Sequence, residues 1–177
     1  MKTSITPNQI KETNRNRIYQ YIYQKGSVSQ QDIAYNLHLS RPTVTTNLLE
    51  LESDGLIVKG GQIATEYVGR KAMSYEIVPD FRVGIGVEIR RREIKLIAVD
   101  LYGREIEWQV VPFLYENTEK YCKTVCAQIE MFLSALQFRE EQILGVGFAM
   151  QGLVSPDGQT VLYGKILDCT GLAITSF

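Results

Sequence analysis

The sequence contains a single histidine, His38, and only three cysteines, and this scarcity excludes several kinds of chemistry at once. A zinc site draws about four ligands, chiefly Cys and His, and one imidazole far from the thiols does not supply them. Cys122 and Cys126 stand at i, i+4 on an expected helix, where they share a face and read as two small buried side chains. Neither a metal nor a cofactor is expected. Long apolar runs are also missing: none reaches the roughly 18–20 residues of a membrane span. The opening Met1-Lys2-Thr3-Ser4-Ile5-Thr6-Pro7 has no apolar stretch of the signal-peptide kind, so the expected compartment is the cytoplasm and no membrane partner is foreseen. There is no internal repeat and no low-complexity tract.

What is present is the composition of a folded protein. Hydrophobic residues make up 45% and charged residues 22%, which argues against a disordered chain. At 177 residues there is room for one large domain or two small ones. The net charge of −1 speaks against a non-specific nucleic-acid binder, which is usually strongly basic. The balance is uneven along the chain, however. Up to residue 49 the basic residues are Lys2, Lys11, Arg15, Arg17, Lys25 and Arg41, against Glu12 and Asp32; the acidic cluster Glu50, Glu52 and Asp54 follows directly. A sequence-specific reader with a local basic face fits that distribution.

Periodicity divides the chain in two. Asn14 to about Gln24 places Ile18, Tyr21 and Ile22 at helical spacing, and Lys25-Gly26 ends the helix. Ser29 opens a second helix with Asp32 three residues on, a capping-box pattern ahead of the apolar Ile33, Ala34 and Leu37. After a break at His38-Leu39, Ser40 caps a third helix, with Pro42 in its first turn and Val44, Leu48 and Leu51 facing inward. Gly55 closes it. Leu56-Ile57-Val58 and Ser74–Val78 read as the strands of a hairpin around the Gly-rich, polar residues 59–71, and Pro79-Asp80 breaks the pattern. The expected domains are therefore 1–79 and 80–177. In the second, Val83–Ile89, Ile94–Asp100 and Glu105–Val111 read as strands, Thr118–Leu136 as an amphipathic helix, Ile143–Met150 as a strand and Asp157-Gly158 as a turn, which together suggest an α/β layer.

Two short helices, a tight turn and a capped third helix have the spacing of a helix-turn-helix. With Val44, Leu48 and Leu51 inward, Pro42, Thr43, Thr45 and Thr46 project outward or sideways from the half of the helix that enters the major groove in such motifs. Threonine hydroxyls donate or accept at base edges, and threonine methyls pack on the thymine methyl; both remain open. Arg41 suits a phosphate or a guanine edge, and the Ser40 cap leaves backbone N–H groups for a phosphate. Gly69-Arg70-Lys71 sets two cations on the hairpin loop, the kind of group that a narrow minor groove attracts, with Tyr67 as a neighbour. A protein-interaction module is the competing reading. Against it stands a helix face of three threonines, poor helix formers where an idle surface would carry Glu, Lys or Gln.

These residues resemble a known family. Asn14-Arg15-Asn16-Arg17-Ile18, Val28–Ala34, Leu39-Ser40-Arg41-Pro42-Thr43-Val44, Gly55-Leu56-Ile57 and Gly69-Arg70-Lys71 are similar to the opening of ROK-family proteins (repressors, open reading frames and kinases). The likeness continues through Gly84–Ile89, Ala98–Gly103, Ile143–Ala149 and Gly152-Leu153-Val154, and covers about residues 12–172. It implies an α+β winged helix-turn-helix followed by part of an α/β ribonuclease H-like, sugar-kinase-like domain for effector binding and oligomerisation. It also implies a repressor of sugar-utilisation genes, a homodimer or tetramer on a palindromic double-stranded operator, relieved by a sugar or sugar phosphate. Where kinase members carry an Asp and a Gly-Gly-Thr turn, this chain has Glu88-Ile89-Arg90-Arg91-Arg92, so kinase activity, the enzyme alternative, is not expected. Gln151-Gly152 occupies the place of a Pro-Gly loop near the sugar and is the effector-site candidate, with a plain strand-to-loop turn as the competing reading. The family's Asn-Asp and Glu-His sugar-contacting segments and its zinc loop are not in this sequence. The expectation is thus a C-terminally shortened member whose sugar binding requires the missing part.

Overall fold

The first helix, α1, spans Pro7–Lys25 and begins well before the expected Asn14. Thr6 caps it through a reciprocal pair: the Gln9 amide donates to Thr6 Oγ1 at 3.3 Å, and the Thr6 amide donates to Gln9 Oε1 at 2.8 Å. Pro7 occupies the first turn, where its missing N–H costs nothing. Between Pro7 and Asn14 the one large apolar residue is Ile10, which is exposed, so hydrophobic periodicity carries no signal there and capping alone marks the start. Gly26, at φ 82°, stops the helix, with its N–H bonded to the Ile22 carbonyl.

The computed structural model describes residues 6–63 and 71–174, which fall into two compact units, Met1–Val78 and Pro79–Phe177. In the first, α1 is followed by strand β1 (Val28–Ser29), helices α2 (Gln30–Leu37) and α3 (Arg41–Ser53), and strands β2 (Ile57–Ile63) and β3 (Ala72–Ile77). The two-residue β1 has no counterpart in the sequence pattern, because two residues are too few to show alternation; it pairs antiparallel with β3 through Val28–Tyr75 and Ser29–Ser74. Strand β2 runs on to Ile63, past the expected end at Val58, by way of a register shift between Lys59 and Gln62 that accommodates Gly60-Gly61. Ile18, Ile22, Ile33, Val44, Leu48, Leu51 and Ile57 are buried together, so three helices and the hairpin share one core.

The second unit opens with three antiparallel strands, β4 (Val83–Ile89), β5 (Glu93–Val99) and β6 (Glu105–Pro112). Helix α4 (Glu119–Leu136) then crosses back, and β7 (Ile143–Met150) pairs parallel with β4, giving the order β6-β5-β4-β7. Burial alternates strictly in β4: Val83, Ile85, Val87 and Ile89 face one side and Gly84, Gly86 and Glu88 the other. The buried side meets Tyr121, Val125, Ile129 and Phe132 of α4, which recur at i, i+4, i+8 and i+11. Thr118 caps α4 by accepting from the Tyr121 amide at 3.2 Å. A short hairpin of β8 (Leu153–Val154) and β9 (Val161–Tyr163) follows, with Val161, Leu167 and Cys169 joining the same core. Among the described residues, no helix is long and apolar enough to cross a membrane.

Candidate nucleic-acid interface

Helix α3, the expected reading helix, is positioned from below. Val44, Asn47, Leu48 and Leu51 are buried, which turns Arg41, Pro42, Thr45, Thr46 and Leu49 outward. The turn before it depends on His38, whose left-handed backbone (φ 54°) lets its own amide reach the Tyr35 carbonyl and the Leu39 amide reach Ala34. Arg17 of α1 donates to the Leu37 carbonyl at 3.1 Å and closes the end of α2. Ser40 then caps α3 as expected: its Oγ accepts from the Thr43 amide at 3.3 Å and lies 2.8 Å from Thr43 Oγ1.

Each outward hydroxyl on α3 is already engaged. Thr45 Oγ1 donates to the Arg41 carbonyl at 2.9 Å and accepts from Gln30 Nε2 at 2.6 Å. Thr46 Oγ1 donates to the Pro42 carbonyl at 3.1 Å. Asn47, inside, donates to the Thr43 carbonyl at 2.8 Å, and its Oδ1 finds no partner among the described residues.

Arg41, Pro42, Thr43 and Thr46, among the expected site residues, divide between two grooves flanking α3. Arg41 joins Gln30, Gln31, Ala72, Met73 and Tyr75 around a cavity of about 300 Å³ between α2, α3 and the hairpin. Thr43 and Thr46, with Pro42 and Asn47, line a second groove against Pro7, Ile10 and Lys11 of α1. Ser40 and Thr45 line neither. Lys71 is exposed at the entry to β3. Arg70, Gly69 and Tyr67 lie outside the described residues. The sequence reading missed Gln30, which holds Thr45. Gln30 is the first residue of α2, at the end away from the His38-Leu39 turn, and its reach to Thr45 fifteen residues on follows from how the two helices pack.

Charge is sorted along α3. The acidic cluster at its C-terminal end is met by bases from other elements: Lys11 bonds Glu50 at 2.6 Å, Lys59 bonds Glu52 at 2.8 Å, and Arg15 pairs with Asp54. Hydrogen bonding to Glu52 holds the Lys59 ammonium above its ordinary range. Such surface pairs add little stability, but they neutralise carboxylates that would repel a phosphate backbone. Arg41 makes no ion pair among the described residues and stands at the positive end of the helix dipole. This arrangement offers an uncharged reading face with a cation at its leading end.

In the second unit, Arg90 bridges Glu88 and Glu93 at 2.8 Å each across the β4–β5 turn, at positions where the kinase-type pattern expects glycines. Those hydrogen bonds, to Glu88 first, raise the guanidinium above its ordinary value. Gln151 and Gly152 are exposed. A Cβ on Gly152 would stand 2.5 Å from the Tyr163 carbonyl oxygen, so the close approach of β9 is enough to account for the glycine.

Residues 11–58 match the family model described as winged helix-turn-helix DNA-binding. The class is that of a winged helix-turn-helix followed by a separate α/β unit with a mixed four-stranded sheet. The chain is similar to a putative xylose repressor of Caldicellulosiruptor, 26% identical over 155 residues, across 86% of this chain and 38% of that protein. It is also 26% identical over 156 residues to the transcriptional dual regulator NagC of Escherichia coli, across 87% of this chain and 38% of that protein. A transcriptional regulator of Mycobacterium tuberculosis is 23% identical over 138 residues, 77% of this chain and 31% of its own length. In fold it matches a ROK-family transcriptional regulator described as a homologue of the Escherichia coli Mlc protein, with a TM-score of 0.62 at 21% identity over 93% of this chain and 42% of that one. The chain thus spans well under half the length of these relatives.

Proposed function

We propose that the protein is a sequence-specific DNA-binding regulator, a repressor of sugar-utilisation genes. Residues 1–79 would read the operator, and residues 80–177 would contribute to an effector and oligomerisation domain. The observation that carries this reading is the outward face of α3, where Arg41, Pro42, Thr45 and Thr46 are exposed beyond a firmly buried Val44, Leu48 and Leu51. Ser40 and Arg41 serve the phosphate backbone at the helix entry, Thr45 and Thr46 meet base edges, and Arg70 and Lys71 reach an adjacent groove. The repressor relatives support the direction of regulation. Two heads in a homodimer or tetramer address a palindromic site, and a sugar or sugar phosphate changes their spacing. Gln151-Gly152 stays only a weak effector candidate, given the backbone reason for Gly152. The bridged turn at Glu88-Arg90-Glu93 supports a regulator rather than a kinase, because the Arg90 amide is already bonded to the Glu93 carbonyl and the positions beside it carry side chains in place of glycines.

The test is selection of genomic fragments by the purified chain at low and near-physiological salt. Recovery of a short inverted repeat beside sugar-uptake genes is the expected result. Recovery of no sequence above background, by this chain or by one extended at its C-terminus to the length of its relatives, would refute the reading.

A further inference from the structure

The hydroxyls of the reading helix bear on what it can recognise. A threonine offers DNA two chemistries, a hydroxyl for a base-edge hydrogen bond and a methyl for apolar packing. Here the hydroxyl protons of Thr45 and Thr46 are spent on the Arg41 and Pro42 carbonyls, and Thr45 Oγ1 also accepts from Gln30. Thr43 is paired with the Ser40 cap. To donate to a base, Thr45 or Thr46 must first abandon an existing bond, which cancels most of the gain. The methyl needs no such exchange. The neighbours on this face agree: Pro42, Thr46 and Leu49 recur at i, i+4 and i+7, all exposed, and Leu49 is 58% exposed with no charged residue between it and Arg41 on the outward side. An exposed helix stripe of a proline ring, a threonine methyl and a leucine, with Thr45 one turn before Leu49, is unsuited to water and matched to an apolar surface in a groove.

We propose that α3 reads 5-methylpyrimidines, thymine in ordinary DNA, through the methyls of Thr45 and Thr46 backed by Pro42 and Leu49. Gln30 acts as a positioning residue that locks the Thr45 hydroxyl away from the bases. This inference rests on the DNA-reading function proposed above and specifies the chemical feature that is read.

The experiment uses the full chain and the inverted repeat it selects. Each thymine is replaced in turn by deoxyuridine, which removes only the C5 methyl and leaves every hydrogen-bonding group in place. The expected result is a loss of about fourfold in affinity at one or two thymines per half-site, what one buried methyl group is worth. In Thr45→Val and Thr46→Val that sensitivity persists, because a γ-methyl remains; in Thr45→Ser and Thr46→Ser it disappears. Silence of deoxyuridine at every position, with the valine variants losing their discrimination and the serine variants keeping it, would assign recognition to the hydroxyls. That result overturns the proposal while leaving the DNA-reading function intact. The deoxyuridine scan of the unsubstituted chain decides the matter even where a variant folds poorly. Failure of both this chain and its C-terminally extended form to retain any DNA would remove both.

Discussion

Single side chains set the stability of each unit. Leu48 is 2% exposed and projects from α3 into the core of the first unit, so Leu48→Ala is expected to cost about 2–5 kcal/mol in denaturant unfolding. Tyr121 behaves differently. Its ring stacks on Phe113 with centroids 5.0 Å apart, but its buried hydroxyl has no hydrogen-bond partner among the described residues. Tyr121→Phe therefore removes an unpaired polar atom and keeps the packing; thermal melting should show an unchanged or slightly raised midpoint. The same burial pushes the Tyr121 hydroxyl from 10.0 up to about 12, and Tyr115 is likewise pushed up to about 12. Both groups hold their protons more tightly in the folded state than in the unfolded chain. Stability is then complete below about pH 10 and falls as pH rises toward about 12, because the unfolded chain ionises first. Unfolding curves across that window should show the decline, with a shallower slope in Tyr121→Phe. A flat profile would mean that these hydroxyls are hydrated in solution.

Elements are held as much by their ends as by their faces. Ser29 of β1 is fully buried, pairs with Ser74 of β3, and caps α2 by accepting from the Asp32 amide at 3.1 Å while the Asp32 carboxylate accepts from the serine amide and hydroxyl. Ser29→Ala should cost about 1–2 kcal/mol, near the upper end for an N-cap, since the carboxylate of Asp32 is also deprived of a donor. A cost of less than a few tenths in equilibrium unfolding would show that the cap is replaced by water. That S-x-x-D cap, the Ser40 cap and the inward set Val44, Leu48 and Leu51 were legible in the sequence because each follows from a fixed local spacing. The start of α1 was not, since its first two turns bury nothing and so leave no hydrophobic period. The β1 strand was invisible for a related reason: its identity comes from pairing with β3, more than forty residues on in the chain.

At the scale of the whole molecule, binding to DNA should be governed by a small number of cations, since Lys11, Arg15 and Lys59 are already committed to the acidic cluster. Arg41→Ala is expected to weaken operator binding and to make log affinity less steeply dependent on log salt, by about one unit in slope for each phosphate left without its arginine. Lys11→Ala should change that slope little. If the two variants behave alike in a salt titration, the charge sorting along α3 does not operate on DNA. The sequence by itself determined the two-part layout, the helix-turn-helix spacing, the order of strands and helix in the second unit, and which residues of α3 face outward, because all of these follow from short-range periodicity, caps and breaks. Only the tertiary structure decided that Gln30 reaches Thr45, that bases from α1 and β2 neutralise the acidic end of α3, and that β9 leaves no room for a side chain at Gly152. Those facts depend on where separate elements meet in space, and no local spacing encodes that.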